Sequence, residues 1–411
     1  MTRNRRQRSA RAVVNDQAIL EAAIREVLRA GVDHLSLRGV GIEAGLTHGA
    51  TYARYEDVDE LLVDVWNSVL CARAVMMFEL CISAAEEPSA ESVGALFDFM
   101  RNTTPADVAS IRVLLTARRI TILHEVVESF IHDYLERESS RFPDVSVPFM
   151  RGMMVFSLMI AQIFTDAQFG WDRDYQDVLE ALLLETLKSD PRRFVEEVLP
   201  TPVLPPIQEP SDDLKGQLAY ATFSVVGESG YTRATLARIG RRANCSPGAI
   251  HMLYLTKEDL VIDAFQNLMR ERWLSVVNLV EVLDDGSLTQ LLYSSASSDN
   301  VLRQRFVLEM GLAAVHSEKL QLAIIRRISE LEVIIPQLSN MSDEEKNRLR
   351  FLIRSISFLT IGVTFLSTVT GSIVYTNYNQ FAEPFRLAIL QDSAPLWGEL
   401  RRQINELEVG R

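Results

Sequence analysis

The sequence predicts an all-α protein, and two observations support that prediction. Apolar residues recur at helical spacing through 67–190 and 266–392, which is typical of amphipathic helices packed on a core. Residues that favour helix starts and ends stand at the edges of these periodic stretches, for example Ser36 as an N-cap and Gly31 as a helix end. A third observation, a long internal repeat, divides the chain into two similar halves.

The composition limits the class of protein. With 411 residues, of which 47% are apolar and 24% charged, we expect a folded chain of more than one domain. The three cysteines, Cys71, Cys81 and Cys245, are too few and too scattered for a disulfide framework or a zinc site, which indicates a reducing, cytoplasmic location. The sequence has no phosphate loop, nucleophile elbow or paired metal ligands, so we expect no enzyme activity, metal or cofactor.

The charge is unevenly distributed. A net charge of -13 argues against adhesion of the whole surface to nucleic acid. The first eleven residues are nevertheless basic and contain five arginines, namely Arg3, Arg5, Arg6, Arg8 and Arg11. This segment has no apolar centre, so it is not expected to be a secretory signal.

One uncharged stretch, 355–382, is long enough to cross a bilayer. Polar side chains and two glycines, Gly362 and Gly371, interrupt it. These interruptions favour a helix buried inside a helical bundle over a membrane span.

The internal repeat appears when the sequence is shifted by 199 residues. Residues 15–66 then align with residues 214–265 without a gap, and eleven of the 52 positions are identical. The identical positions include turn glycines and core anchors, among them Gly41 with Gly240 and Tyr55 with Tyr254. Such positions are the least free to vary in a compact three-helix unit.

Each copy predicts the same short helices. An amphipathic helix ends at Gly31 or Gly230, and a second begins after the N-caps Ser36 or Thr235. After a tight turn, a third short helix starts at Thr47 or Ser246. Two short helices joined by a tight turn behind a longer helix form a helix-turn-helix, which places its last helix in a DNA major groove.

The third helix has residue types that suit this role. Small residues allow close approach to DNA, and Thr, Ser and His can bond base edges or phosphates. Thr51 and Ile250 are expected to be able to touch a thymine methyl group. Tyr55 and Tyr254 are expected to be core residues rather than DNA contacts.

The motif Gly-x5-Leu-x6-Ala-x-x-Ser/Thr-x-Gly-Ala-x-x-x-x-Tyr is present in both copies and resembles the TetR family of bacterial transcription regulators. The second copy matches better because it ends in 256–260, Thr-Lys-Glu-Asp-Leu. The resemblance implies two repeats, each a three-helix DNA-binding unit followed by a helical domain for ligand binding and dimerisation. It also implies pairing through the last two helices into a four-helix bundle, and release from DNA by a small molecule, as in a repressor.

The resemblance implies a set of DNA-binding residues. The first unit contributes Ser36, Thr47, His48, Gly49, Ala50, Thr51, Tyr52 and Arg54, and the second contributes Thr235, Ser246, Pro247, Gly248, Ala249, Ile250, His251 and Lys257. Within this set, Tyr52, His251 and Arg54 match phosphate or backbone contacts of the family, and Lys257 matches a lysine near a phosphate. Val58, at the position equivalent to Lys257, cannot make that contact. The arm residues Arg3, Arg5, Arg6 and Arg8 are expected to compensate by following the minor groove or phosphates.

The first half also suggests a ligand site. Six Met and Phe side chains at helical spacing form a plastic apolar interior, and they are Phe97, Met100, Phe149, Met153, Phe156 and Met159. The expected effector is a small apolar or amphipathic molecule whose class the residues do not specify. Ordinary core packing explains the same residues equally well.

Both recognition units belong to one polypeptide, which predicts an intramolecular pseudo-dimer. The apolar helices at 150–165 and 355–374 would pair, with their following helices, into one bundle. The recognition helices, roughly 34–36 Å apart, differ at four of six positions and would read an imperfect palindrome in duplex DNA. The alternative is a regulator with one degenerate helix-turn-helix that binds protein or ligand, and with DNA binding only through a homodimer.

The resulting domain prediction has six segments. They are a basic arm (1–11), the first DNA-binding domain (12–66), the first helical regulatory domain (67–190), a Pro-rich linker (191–213), the second DNA-binding domain (214–265) and the second regulatory domain (266–411).

Overall fold

A computed structural model describes residues 10–141, 147–169, 173–194, 213–282, 287–297, 300–334, 342–370 and 378–390. These residues form helices joined by turns, and they contain no β-strand. The all-α prediction is therefore confirmed. The arm arginines and most of the predicted linker, 195–212, lie outside the described residues.

The helices of the first half are α1 (Ala10–Ala30), α2 (Leu37–Glu43), α3 (His48–Tyr52), α4 (Val58–Val65), α5 (Cys71–Glu86), α6 (Ala90–Arg101), α7 (Pro105–Thr116), α8 (Thr121–Arg141), α9 (Val147–Phe169) and α10 (Arg173–Lys188). A π-helical turn, Trp66–Leu70, joins α4 to α5 without a break.

The helices of the second half are α11 (Leu214–Ser229), α12 (Leu236–Arg242), α13 (Pro247–His251), α14 (Lys257–Val282), α15 (Ser287–Ala296), α16 (Val301–Ala314), α17 (Glu318–Ile334), α18 (Asp343–Thr370) and α19 (Asn379–Leu390). If α4 and α5 are taken as one helix, the described helices of the two halves correspond one to one in chain order.

Local residue chemistry explains where the repeated short helices begin and end. Gly31 and Gly230 follow the first helix of each copy with φ angles of 83° and 81°, a backbone region that glycine enters without steric cost. The turn between the next two helices contains Gly45 in one copy and Asn244 in the other, with φ angles of 67° and 52°. Glycine and asparagine are the residues that tolerate this left-handed conformation best, so different residues build the same turn.

The described chain forms two compact units. The first comprises Met1–Met77 and Thr103–Tyr134. Within it, α1 packs on α2, α4 and α7. The guanidinium of Arg112 on α7 is buried and donates to the carbonyl oxygen of Leu28 at 2.8 Å. This bond satisfies a backbone group near the C-terminus of α1, and burial lowers the pKa of Arg112 to about 10.

The second unit comprises Phe78–Asn102 and Leu135–Arg411. It contains the second helix-turn-helix, whose helix α11 packs on α14 and α16. Phe306 and Met310 of α16 are fully buried in the same core as the apolar face of α11. A helix that follows the second helix-turn-helix in the sequence thus completes the core of that unit.

Four helices of the second unit form a bundle within one chain. α9 packs on α18, and α10 packs on α19. Phe164 and Phe365 meet edge to face with ring centroids 5.1 Å apart. Gly362 lets α18 approach α9 closely, because a Cβ atom at this position would overlap the backbone carbonyl oxygen of Ser157. The guanidinium of Arg151 bridges both halves of the bundle by donating to the carbonyl oxygens of Leu187, at 2.8 Å, and Gln380, at 3.2 Å.

One continuous helical stretch among the described residues, Val58–Glu86, is long and apolar enough to cross a membrane by length and composition. Its mean hydropathy reaches 1.6 over the most apolar window, and 44% of that window is buried. The core helix of a water-soluble domain meets the same criteria. The described part of the stretch 355–382, where the sequence raised the membrane question, does not meet them.

Candidate nucleic-acid interface

The second helix-turn-helix presents the N-terminal end of α13 at the surface. Ser246 is the N-cap, and its hydroxyl accepts a hydrogen bond from the backbone N–H of Ala249 at 3.2 Å. Pro247 occupies the first turn, where its missing N–H costs nothing. Ser246, Pro247, Gly248 and His251 are exposed, and Ala249 is half-buried. Around Gly248, a Cβ atom would meet only the Ser246 hydroxyl, at 3.7 Å.

The first unit has the same geometry with a weaker cap. Thr47 is the N-cap of α3, but its side chain makes no capping hydrogen bond. Thr47, Gly49 and Tyr52 are exposed, and Ala50 is half-buried. No atom lies within 4 Å of a Cβ atom placed on Gly49. His48 begins α3, but its side chain lies outside the described part of the structure.

Two predicted base contacts are wrong. Thr51 and Ile250, at equivalent positions, are both fully buried at 0% exposure. The Thr51 side chain packs against Gly41, and Ile250 packs against Gly240. Each glycine lets α3 or α13 approach the helix before it, so Thr51 and Ile250 hold these short helices in place and do not reach thymine methyl groups.

Ser36 and Thr235 act as N-caps. Both are exposed, and their hydroxyl oxygens accept hydrogen bonds from the backbone N–H groups of Gly39, at 3.1 Å, and Arg238, at 3.2 Å. A capping hydroxyl is oriented toward its own helix. This geometry explains the two residues without a DNA contact.

Two basic side chains of the predicted set are engaged inside the protein. Arg54 lies 3.2 Å from the carboxylate of Asp16 on α1 and is half-buried. The Lys257 ammonium donates to the carbonyl oxygen of Tyr231 at 2.9 Å and sits 3.8 Å from the centroid of its ring. Burial lowers the pKa of Lys257. The expectation that these two side chains point at phosphates therefore needs correction, since both join segments of their own unit.

A cluster of exposed arginines surrounds the second unit instead. Arg233, Arg238, Arg241 and Arg242 lie before and along α12, and all four are exposed. The equivalent positions of the first unit hold His34, Gly39, Ile42 and Glu43. Nothing in the described structure pairs Arg241 or Arg242 with a carboxylate. We refer to these four residues as the arginine cluster.

Two carboxylates that follow the arginine cluster in the sequence are held at the N-terminal end of α17. Glu258 accepts a hydrogen bond from the Ser317 hydroxyl at 2.6 Å, and Asp259 accepts one from the Lys319 ammonium at 2.5 Å. The hydrogen bond from Lys319 is the largest influence that lowers the pKa of Asp259. These contacts hold both carboxylates beside the N-terminal end of α17.

The predicted ligand residues lie in the interior of the second unit. Phe97 and Met100 are on α6, which packs on α9, and both are buried. Met153, Phe156 and Met159 on α9 are also buried, while Phe149 is half-buried. Phe78 joins this group by meeting Phe156 edge to face at 5.2 Å and Phe149 at 6.2 Å. The six residues are thus brought together, in an arrangement that ordinary core packing also produces.

Sequence reasoning missed several partners. Asp16 and Tyr231 are distant in sequence from the basic residues they hold, and no local motif marks them. A further group, also missed, is a buried polar set near the start of α16. Gln304 donates to the carbonyl oxygen of Ser295 at 2.7 Å, and Asn300 donates to that of Ser294 at 3.0 Å. These bonds give partners to two backbone carbonyl groups in the last turn of α15, which have no N–H donor within the helix. Among the described residues, no three His, Cys, Asp or Glu side chains are grouped to hold a metal.

The chain matches no protein-family model. No curated protein matches its sequence.

Proposed function

We propose that this chain is a sequence-specific DNA-binding transcription regulator, similar to a TetR-type repressor with two units in one polypeptide. The observation that carries the proposal is the exposed N-terminal turn of α13 beside the arginine cluster. A narrow helix end with Gly248 and Ala249 suits entry into a major groove, while neighbouring arginines suit the phosphates on either side.

The bundle formed by α9, α10, α18 and α19 supports a pseudo-dimer. In a conventional dimer of such regulators, two chains supply the paired helices, whereas here one chain supplies all four. One molecule would then carry two non-identical recognition helices and read an imperfect palindrome. The rival arrangement is a homodimer in which only one unit of each chain binds DNA.

The effector is proposed to be a small apolar or amphipathic molecule bound near α6 and α9. The supporting observation is the Met- and Phe-rich packing of Met153, Phe156 and Met159. Thermal-shift screening with acyl chains, aromatic compounds and drugs tests this point. A binder should raise the melting temperature and lower DNA affinity, whereas failure of every apolar compound would count against a ligand site here.

DNA binding is tested by selecting preferred duplexes from a random pool and measuring their affinity by fluorescence anisotropy. The variant Arg241→Ala/Arg242→Ala should bind the selected duplex more weakly. The plot of log K against log salt should become shallower by about 0.9 for each phosphate that the variant no longer neutralises. The control variant Arg192→Ala/Arg193→Ala removes two exposed arginines outside the helix-turn-helix and should bind normally. An unchanged affinity and salt slope for the first variant would contradict the proposal.

A further inference from the structure

The two helix-turn-helix units have opposite charges at equivalent positions. Residues 34–60 of the first unit, which we call the acidic segment, contain two basic and five acidic side chains and have a net charge of -3. Residues 233–259 of the second, the basic segment, contain five basic and two acidic side chains and have a net charge of +3. The two copies therefore have the same short helices, whereas the net charges of their equivalent segments have opposite signs.

Exposure places these charges at the surface. Glu43, Glu56, Asp57 and Glu60 of the acidic segment are exposed, and Glu43 is also paired with Arg25 at 2.6 Å. Arg54, one of the two cations of this segment, is tied to Asp16. In the basic segment the arginine cluster is exposed, while both carboxylates are held, by Ser317 and by Lys319. The contrast in charge at the surface therefore rests on the exposed carboxylates Glu56, Asp57 and Glu60 in the acidic segment and on the arginine cluster in the basic segment.

Both segments also expose large apolar side chains. In the acidic segment, Ile42 is 70% exposed and Tyr52 is 50% exposed. In the basic segment, Met252 and Leu255 are both 87% exposed. Apolar side chains surrounded by charge are typical of protein interfaces, in which apolar burial supplies affinity and complementary charge sets orientation.

We propose that the acidic segment of one chain binds the basic segment of a second copy of the same chain. The two surfaces differ, so the contact is head-to-tail and can add further chains. The carboxylates of the acidic segment would occupy the arginines proposed above to bind phosphates, so duplex DNA should compete with self-association. The self-association itself does not rest on the proposed function.

Sedimentation velocity over a concentration series, without DNA, tests the proposal. The wild-type chain should associate reversibly at 0.1 M salt, where the Debye length is about 10 Å, and dissociate near 1 M salt, where it is about 3 Å. Two variants each retain one competent surface: Glu43→Lys/Glu56→Lys retains the basic segment, and Arg241→Glu/Arg242→Glu retains the acidic segment. Each should be monomeric alone, and an equimolar mixture should associate, because the retained basic segment of one variant meets the retained acidic segment of the other.

The control variant Glu91→Lys/Glu185→Lys makes the same charge change at exposed positions on regulatory helices and should associate like the wild type. Far-UV circular dichroism checks that each variant is folded. If a charge reversal unfolds the chain, the neutral versions Glu43→Gln/Glu56→Gln and Arg241→Gln/Arg242→Gln replace it and should each weaken association.

Three results would overturn the proposal: a wild-type chain that stays monomeric at every concentration, charge variants that associate like the wild type, or a mixture of folded charge variants that stays monomeric. A chain lacking residues 1–9 that associates when the full chain does not would also overturn it, because the arginine arm would then occupy the acidic segment. Loss of DNA binding alone, with self-association intact, would contradict only the proposed function.

Discussion

The hydroxyl of Tyr254 donates a hydrogen bond to the carboxylate of Asp263 at 2.5 Å, nine residues further along the chain. The equivalent residues of the first unit, Tyr55 and Asp64, form the same bond at 2.7 Å. Both tyrosine rings are buried, as the sequence predicted for core residues. The bond fixes the segment after α3 or α13 to the body of the following helix, so it helps to orient α3 and α13 in their units.

Replacing Tyr254 by Phe should therefore destabilise the second unit. The substitution keeps the ring and removes a hydrogen bond to a charged acceptor, which contributes about 1.5–3 kcal/mol. Urea unfolding should show a lower midpoint, and Tyr55→Phe should act similarly on the first unit. Tyr220→Phe, at a half-buried position on α11, is the matched control and should leave the midpoint unchanged. Equal midpoints for Tyr254→Phe and the wild type would show that the hydrogen bond does not contribute to the free energy of unfolding.

The same bond predicts an alkaline pH dependence. Burial, reinforced by Asp263, raises the pKa of Tyr254 well above its ordinary value, and Tyr55 behaves likewise. The folded state then holds these protons more tightly than the unfolded state, whose tyrosines titrate near about pH 10. This contribution to stability should be constant below about pH 10 and decline as the pH rises above it. The Tyr55→Phe/Tyr254→Phe variant should show a smaller decline, and an equally steep decline would assign the effect to other groups.

Gly248 and Ile250 should respond differently to substitution although they lie in one short helix. Gly248→Trp adds a side chain where little contacts it, so the melting temperature should hold while DNA affinity falls because the helix no longer enters the groove. Ile250→Ala leaves a cavity in the core and should lower the free energy of unfolding by about 2–5 kcal/mol. Gly49→Trp is the corresponding test of the first unit. If the variant Gly49→Trp/Gly248→Trp binds DNA with unchanged affinity, neither α3 nor α13 is the element that enters the major groove.

Substitution of Gly362 tests whether α18 packs closely on α9 in the four-helix bundle. Gly362→Ala should separate α18 from α9, because the added methyl group meets the backbone carbonyl of Ser157 and not a movable side chain. Gly94→Ala is the control, since its methyl group would meet only a carboxylate oxygen of Glu180, at 3.5 Å. That change should stabilise the chain by about 0.5–1 kcal/mol through helix propensity. A stable, unchanged Gly362→Ala protein would show that α9 and α18 do not pack this closely.

The helical class, the two copies of the short-helix unit and their turns could all be predicted from the amino-acid sequence. These features depend on interactions between near neighbours. A serine or threonine before a helix caps it locally, and Gly45 or Asn244 satisfies a left-handed turn whatever lies around it. The long apolar helices at 150–165 and 355–374 were also predictable, since helical periodicity identifies a buried helix, and their described residues lie within α9 and α18.

Long-range packing determines which side of α3 and α13 faces inward and which residues hold the neighbouring charged side chains. Thr51 and Ile250 have the chemistry of base contacts, yet Gly41 and Gly240 on the preceding helix leave space that buries them. Lys257 is turned toward Tyr231, which is 26 residues away. Periodicity gives the angular position of a side chain around its own helix but not the neighbour that helix meets. That neighbour is set by long-range packing, where a glycine on one helix determines how close the next can come.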